Sequence, residues 1–130
     1  MAACAARRHR PLVIAQRLPY LRVMISRADP AASELSAALQ RELPQKRVLI
    51  VDRFPAARDA LRTMLSTLGI TSVAGAGNSV EVLRQVRAAN FDIILSDYVL
   101  DDGRDGQQLL EELRQQQLIP LGTVFMIITG

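Results

Sequence analysis

From Arg47 onward, the chain alternates regularly between two apolar patterns, and this alternation restricts the fold more than any other feature. Short runs rich in β-branched residues, such as residues 47–51, are typical of strands that are buried on both faces. Between these runs, apolar residues recur at intervals of three and four, which predicts amphipathic helices. Strands that alternate with helices over short connections form a parallel sheet with helices on both faces. The sequence therefore predicts an α/β domain.

Turn and cap residues place the helices between the strands. Pro55 stands where the first of these helices would begin, and Gly69 stands where it would stop. Asn78, followed by Glu81 three residues later, is typical of the start of the next helix. We expect strands at residues 47–51, 70–74, 91–96 and 123–128, and a further helix at residues 108–114.

The first 46 residues differ from the rest of the chain in charge. They carry eight Lys and Arg residues against three acidic residues, whereas residues 47–130 carry eight against ten. Phosphate binding needs a clustered basic face, so we do not expect residues 47–130 to bind nucleic acid. We expect residues 1–46 to be a basic N-terminal extension. It is either a flexible arm or an extra strand at residues 20–26, followed by a helix from Pro30 through Leu43.

The composition excludes several classes of protein. The longest apolar runs, such as residues 124–128, are much shorter than the roughly 20 residues of a membrane span, so no membrane partner is expected. Cys4 is the one cysteine and predicts neither an internal disulfide nor a structural metal cluster. His9 is the one histidine and lies in the N-terminal extension, which argues against hydrolysis by a serine and histidine pair.

Oxygen-bearing side chains stand at the ends of three predicted strands. Asp52 ends the first strand, Asp97 ends the third and Thr129 ends the fourth. In parallel sheets, chemistry collects at the carboxyl ends of the strands. Two carboxylates that converge there repel each other, so the site needs either a hard divalent ion such as Mg²⁺ or a built-in cation. Taken singly, each aspartate is better explained as a helix N-cap or a solvated turn, and only the joint placement favours function.

Several stretches together resemble the receiver domain of bacterial two-component response regulators. They are residues 47–54 (ArgValLeuIleValAspArgPhe), residues 92–98 (AspIleIleLeuSerAspTyr), the AspGly pair at 105 and 106, and residues 123–130 (ThrValPheMetIleIleThrGly). The resemblance covers residues 47–130 in order. It implies a flavodoxin-like (CheY-like) parallel sheet of order 2-1-3-4-5. Typical members continue past the fourth strand, so residues 47–130 are expected to form a partial receiver domain that is incomplete at the C-terminus.

The resemblance also implies a function. Asp97 matches the phosphoacceptor, which receives a phosphoryl group from a histidine kinase or phosphotransfer protein. Mg²⁺ is implied near Asp52, Asp97 and the backbone carbonyl of Val99, and Thr129 matches the hydroxyl residue that contacts the phosphoryl group. Such a domain is a cytoplasmic signalling module rather than an enzyme, with weak autophosphatase activity at most.

Arg53 departs from the family pattern, because the family usually places a second acid directly after the first. Arginine is a permanent cation without an acceptor and cannot ligate a metal, which argues against direct Mg²⁺ binding. One hypothesis is that the Arg53 guanidinium lies over Asp97 and takes the place of the ion; the other is that it points to solvent. Arg53 therefore leaves two functions open: a phosphoaccepting receiver, and a degenerate receiver that only binds other proteins.

Two further departures concern the loop after Asp97 and the fourth strand. The loop is one residue longer than in common receivers, and Asp101 stands at the usual proline position. Typical members have a phosphate-binding lysine on a fifth strand, which residues 47–130 do not include. We expect the edge of the fourth strand to be covered, either by the N-terminal segment or by a second copy in a homodimer; the third alternative is a fragment that is poorly stable alone.

Overall fold

The computed structural model describes residues 30–129, which contain one parallel sheet of four strands in the order β2-β1-β3-β4. This order and the helices between the strands confirm the predicted flavodoxin-like α/β fold. None of the helices in residues 30–129 combines the length and apolar character needed to cross a membrane. The elements in chain order are α1 (Pro30–Glu42), a 3-10 turn (Leu43–Gln45), β1 (Arg47–Val51), α2 (Pro55–Thr67), β2 (Ser72–Ala76), α3 (Ser79–Ala88), β3 (Ile93–Asp97), α4 (Gly106–Gln115) and β4 (Val124–Ile128).

The predicted second strand was placed two residues too early. Ile70 is buried, but its N–H donates to the carbonyl of Leu65 and so completes the end of α2 instead of starting β2. The strand begins at Ser72 and extends to Ala76, which pairs with Val51 of β1. The turn before α3 is therefore shorter than predicted.

Other boundaries differ by one to two residues. β3 starts at Ile93 rather than at residue 91, and Asp92 donates its N–H to the carbonyl of Arg47 at the start of β1. The helix that begins at Pro30 ends at Glu42, one residue before the predicted Leu43, where a 3-10 turn containing a proline takes over. The predicted strand at residues 20–26 lies outside the described residues.

The starts of α3 and α4 are fixed by side-chain caps. Asn78 accepts a hydrogen bond from the N–H of Glu81 (3.0 Å), as predicted for the start of α3. Asp105 and Gln108 form a reciprocal capping box at the start of α4, and this box extends α4 beyond the predicted residues 108–114. These caps satisfy N–H groups that have no partner within the helix.

The sheet has one apolar layer on each face. On one face, Leu49 and Val51 pack with residues of α3 and α4; on the other, Val48 and Ile50 pack with residues of α2. The first and larger layer includes the fully buried Leu113. β4 is an edge strand of the sheet in residues 30–129, and its pairing with a second copy or with the N-terminal segment stays a prediction.

Two leucines near the C-terminal end test how the core stabilises this sheet. Leu113 is 0% exposed whereas Leu121 is 94% exposed. We expect Leu113→Ala to lower the free energy of unfolding by about 2–5 kcal/mol, because it opens a cavity in the larger apolar layer. Leu121→Ala should change it by less than about 0.5 kcal/mol. Urea denaturation followed by circular dichroism measures both values, and equal losses for the two variants would contradict the described packing.

Candidate functional site

The carboxyl ends of β1, β3 and β4 meet at one edge of the sheet. Val51 of β1 lies opposite Ser96 of β3, so the next residues, Asp52 and Asp97, stand at the same level. Asp97 in turn lies opposite Ile128 of β4, and Thr129 follows. Neighbouring strands are about 4.8 Å apart. The structure thus brings Asp52, Asp97 and Thr129 to one edge, as the sequence predicts.

The two aspartates also share a face of the sheet. Ile50 and Leu95, which pack on the α2 side, each lie two residues before an aspartate. The hydrogen-bond ladder between β1 and β2 continues as far as Asp52, whose N–H donates to the carbonyl of Ala76 (3.0 Å). Since side chains alternate along a strand, both carboxylates project toward the α2 side. Both residues are half-buried, so solvent and a ligand can reach them.

Arg58, which the sequence reasoning missed, holds the turn after Asp52. Its Nη1 donates to the carbonyl oxygen of Asp52 at 2.6 Å, while Oδ1 of Asp52 accepts the N–H of Phe54 at 2.8 Å. A Cβ added at Gly75 would lie 3.3 Å from Cδ of Arg58. Gly75, which lies within β2, therefore gives the arginine side chain room to reach Asp52.

The loop after Asp97 folds back on itself. Val99 and Asp105 form an antiparallel bridge, flanked by hydrogen bonds from Gly106 N–H to Tyr98 carbonyl (2.7 Å) and from Leu100 N–H to Arg104 carbonyl. In this arrangement the bonds belong to the neighbours of Val99, so its own carbonyl takes no part in the bridge. The backbone oxygen implicated by the family resemblance is therefore available to a ligand.

Gly106 allows this close approach. A Cβ at this position would lie 2.9 Å from the carbonyl oxygen of Asp97 and 3.3 Å from Oγ of Ser96. A side chain would therefore push against the backbone of the phosphoacceptor candidate. This contact explains why glycine follows Asp105 in the sequence.

The guanidinium of Arg53 lies over the ring of Phe54, 4.6 Å from the ring centroid. Arg53 is exposed, and no ion pair joins it to Asp97 in residues 30–129. Of the two alternatives for this residue, the structure shows the solvent-facing arrangement. Arg53 therefore does not neutralise Asp97 in the structure.

The donor atoms at the edge fit a magnesium ion. The described part of the chain contains no cluster of three or more acidic, histidine or cysteine residues that could hold a metal, which agrees with arginine at position 53. Two carboxylates, from Asp52 and Asp97, and the free carbonyl of Val99 remain. Mg²⁺ prefers oxygen ligands, keeps several waters and is commonly bound through one or two carboxylates. Asp52, Asp97 and Val99 are thus the residues that would hold the ion.

Asp102 connects the loop after Asp97 to α3, a link that the sequence reasoning also missed. Its Oδ2 accepts the N–H of Ser79 at 3.2 Å. Partial burial by itself would raise the pKa of Asp102, but the hydrogen bonds from Ser79 and from the backbone of Arg104 outweigh it and hold the pKa below its ordinary value. Asp102 is therefore a charged carboxylate at neutral pH.

A glycine substitution tests the contact beneath Asp97. We expect Gly106→Ala to destabilise the chain by about 1–3 kcal/mol, because the new Cβ overlaps the carbonyl oxygen of Asp97. Gly122→Ala is the matched control, since Gly122 has open space around it and no positive φ. Thermal unfolding measures both variants, and a Gly106→Ala variant as stable as Gly122→Ala would contradict the close approach.

Comparisons with known proteins place this fold in a family. Residues 48–130 match the family model of the response regulator receiver domain. The chemotaxis protein CheY of Pseudomonas aeruginosa is 30% identical over 81 residues, which are 62% of this chain and 64% of that protein. The chain thus spans less than two thirds of the length of this relative.

Solved structures show the same fold. The chemotaxis response regulator CheY4 of Vibrio cholerae has a TM-score of 0.56 at 26% identity, covering 63% of this chain and 66% of that one. The receiver domain of the histidine kinase CKI1 from Arabidopsis thaliana, complexed with Mg²⁺ and BeF₃⁻, has a TM-score of 0.59 at 23% identity, covering 73% and 72%. The family match over the residues that build the sheet and its acidic edge leads to one conclusion: the chain belongs to the response regulator receiver family.

Proposed function

We propose that this chain accepts a phosphoryl group on the carboxylate of Asp97, with a histidine kinase or a phosphotransfer protein as the donor. Receiver domains are signalling domains, and membership of that family makes the chain a component of two-component signalling. The observation that carries the proposal is the register of β1 and β3, which sets Asp52 beside Asp97 at the open edge of the sheet.

The chemistry needs a nucleophile and a balance of charge. A carboxylate oxygen of Asp97 forms a bond to phosphorus, the bond from phosphorus to the donor histidine nitrogen breaks, and the nitrogen keeps the electron pair and takes up a proton. The product is an acyl phosphate. Transfer of this kind depends mainly on positioning and on neutralising oxygen charge, which Mg²⁺ supplies when bound. Asp52 and the carbonyl of Val99 would hold the ion, and Thr129 would donate its hydroxyl to the phosphoryl oxygens.

The surface around the site supports a protein as the donor. Three large apolar side chains next to the two aspartates are exposed: Phe54 by 54%, Tyr98 by 43% and Val99 by 49%. Exposed apolar residues grouped around a polar site are typical of protein contact surfaces. A docked partner would cover this rim and exclude water from the acidic edge.

A second candidate function follows from Arg53. Its guanidinium stands where an acidic ligand is usual, and it stacks on the exposed ring of Phe54. A cation next to exposed apolar side chains is suited to binding another protein without any phosphoryl transfer. In that case the chain is a degenerate receiver that acts as a binding module.

Labelling with acetyl phosphate separates these two functions. We expect the wild type to form a hydroxylamine-sensitive acyl phosphate and Asp97→Asn to form none, because the amide is not nucleophilic. Asp101→Asn is the matched control: Asp101 is exposed, lies in the loop after Asp97 and makes no hydrogen bond or ion pair in residues 30–129. It should label like the wild type. Equal labelling of Asp97→Asn, or an unlabelled wild type, would leave only the binding module.

A charge substitution tests the role of Arg53. Arg53→Asp adds a carboxylate beside Asp52, and we expect it to tighten Mg²⁺ binding by about tenfold, equivalent to about 1.4 kcal/mol. Arg53→Ala separates the added ligand from the removed cation and should have a smaller effect. Isothermal titration with Mg²⁺ measures both. Equal affinities for Arg53→Asp and Arg53→Ala would contradict a ligand role for the acid at this position.

A further inference from the structure

Asp102 links two parts of the chain that are 23 residues apart. Its Oδ2 accepts the N–H of Ser79, the first residue of α3, at 3.2 Å, and its Oδ1 accepts the N–H of Arg104 at 3.4 Å. The carboxylate therefore closes the tip of the loop and at the same time attaches it to a helix. Within residues 30–129, hydrogen bonds join the loop to α3 only through Asp102 and Ser79.

The first turn of α3 is suited to hold a carboxylate. The N–H groups at the start of a helix have no partner within the helix and carry partial positive charge. The side chain of Asn78 takes one of these groups, the N–H of Glu81, and Asp102 takes that of Ser79. The lowered pKa of Asp102 is consistent with a carboxylate stabilised by these donors.

The loop has separate anchors on its other sides. Leu100 is 2% exposed and packs in the larger apolar layer, which fixes the loop from below. Arg104 forms an ion pair with Glu112 of α4, which fixes the side of the loop that faces α4. Val99, whose carbonyl the site uses, lies between these anchors and the tip. Without the bond from Asp102 to Ser79, the tip would have no polar attachment toward α3.

We propose that Asp102 is a positioning residue: through Ser79 it holds the loop so that the carbonyl of Val99 stays at the acidic edge beside Asp52 and Asp97. This inference rests on the proposed function, because only there does the Val99 carbonyl serve as a metal ligand. The extra residue in the loop and the acid at position 101 set this chain apart from common receivers. The lengthened loop gains its attachment to α3 through Asp102.

Three variants test the proposal against charge and folding effects. Asp102→Ala removes the acceptor. Asp101→Ala removes the same charge one residue nearer to Val99, from a side chain without a described partner. Ser79→Pro removes the donor N–H together with the Ser79 hydroxyl, and no charge. Proline is favoured at the first position of a helix, and the extended backbone of Asn78 (φ −153°, ψ 172°) is compatible with a following proline.

Two readouts that do not depend on phosphoryl transfer are measured on the full chain. Hydrogen exchange of the Leu100 and Gly103 amides measures how firmly the loop is held, and calorimetric titration with Mg²⁺ measures the affinity of the site for the ion. We expect Asp102→Ala and Ser79→Pro to speed exchange and to weaken Mg²⁺ binding by about tenfold, at the low end of what residues supporting a metal ligand contribute. Asp101→Ala should leave both unchanged.

Three results would overturn the inference. If Asp102→Ala has the same amide exchange and Mg²⁺ affinity as Asp101→Ala, the bond from Ser79 to Asp102 does not hold the loop. If Asp102→Ala speeds amide exchange but leaves the Mg²⁺ affinity unchanged, Asp102 only caps α3 and does not position the Val99 carbonyl. If Ser79→Pro fails to fold, Asp102→Ala alone decides, because Asp102 is exposed. A wild type that binds no Mg²⁺ would also overturn the inference. Failure of the proposed function is distinguishable from this, because it would appear as a lack of labelling of Asp97 by acetyl phosphate.

Discussion

Two like charges at the same level of adjacent strands are the constraint on which the rest of this structure depends. The pairing of Val51 with Ser96 sets Asp52 beside Asp97 at the open end of the sheet, about one strand spacing away. Carboxylates at this separation repel each other unless a cation or a proton balances them. The fold supplies no arginine or lysine to either carboxylate side chain in residues 30–129: Arg58 bonds the backbone carbonyl of Asp52, and Arg53 stacks on Phe54. The edge is therefore suited to receive a cation and an electrophilic phosphoryl group.

The surroundings of the two aspartates are built from backbone contacts more than from side-chain ion pairs. Gly106 lies so close to the carbonyl of Asp97 that it has no space for a Cβ, and the bridge between Val99 and Asp105 turns the Val99 carbonyl away from the loop's own hydrogen bonds. Arg58 and Asp102 lie one contact further from the site. Arg58 donates to the carbonyl of Asp52, and Asp102 accepts the first N–H of α3. Such outer contacts fix the direction in which ligand atoms point.

Sequence patterns predicted the parallel sheet and the edge at which Asp52, Asp97 and Thr129 meet, because both follow from local periodicity and from where each strand ends. Boundaries such as the start of β2 were wrong by two residues. Ile70 is an apolar residue of the kind that is common in strands, and only the hydrogen bond from its N–H to the carbonyl of Leu65 shows that it belongs to the end of α2. Arg58 and Asp102 could not be predicted, since each acts on a residue that is distant in sequence or through a backbone atom. The orientation of Arg53 depends on a local contact with Phe54 that residue type alone does not determine.

We propose above that Asp52, Asp97 and the loop at Val99 together hold one cation. Titration of the isotopically labelled full chain with Mn²⁺, followed by the paramagnetic broadening of its amide resonances, measures this directly. The account predicts that substoichiometric Mn²⁺ broadens the amides of Asp52, Asp97 and Val99 together, and that excess Mg²⁺ reverses the broadening. Broadening that affects one of these segments without the others, or that appears elsewhere on the chain, would contradict it.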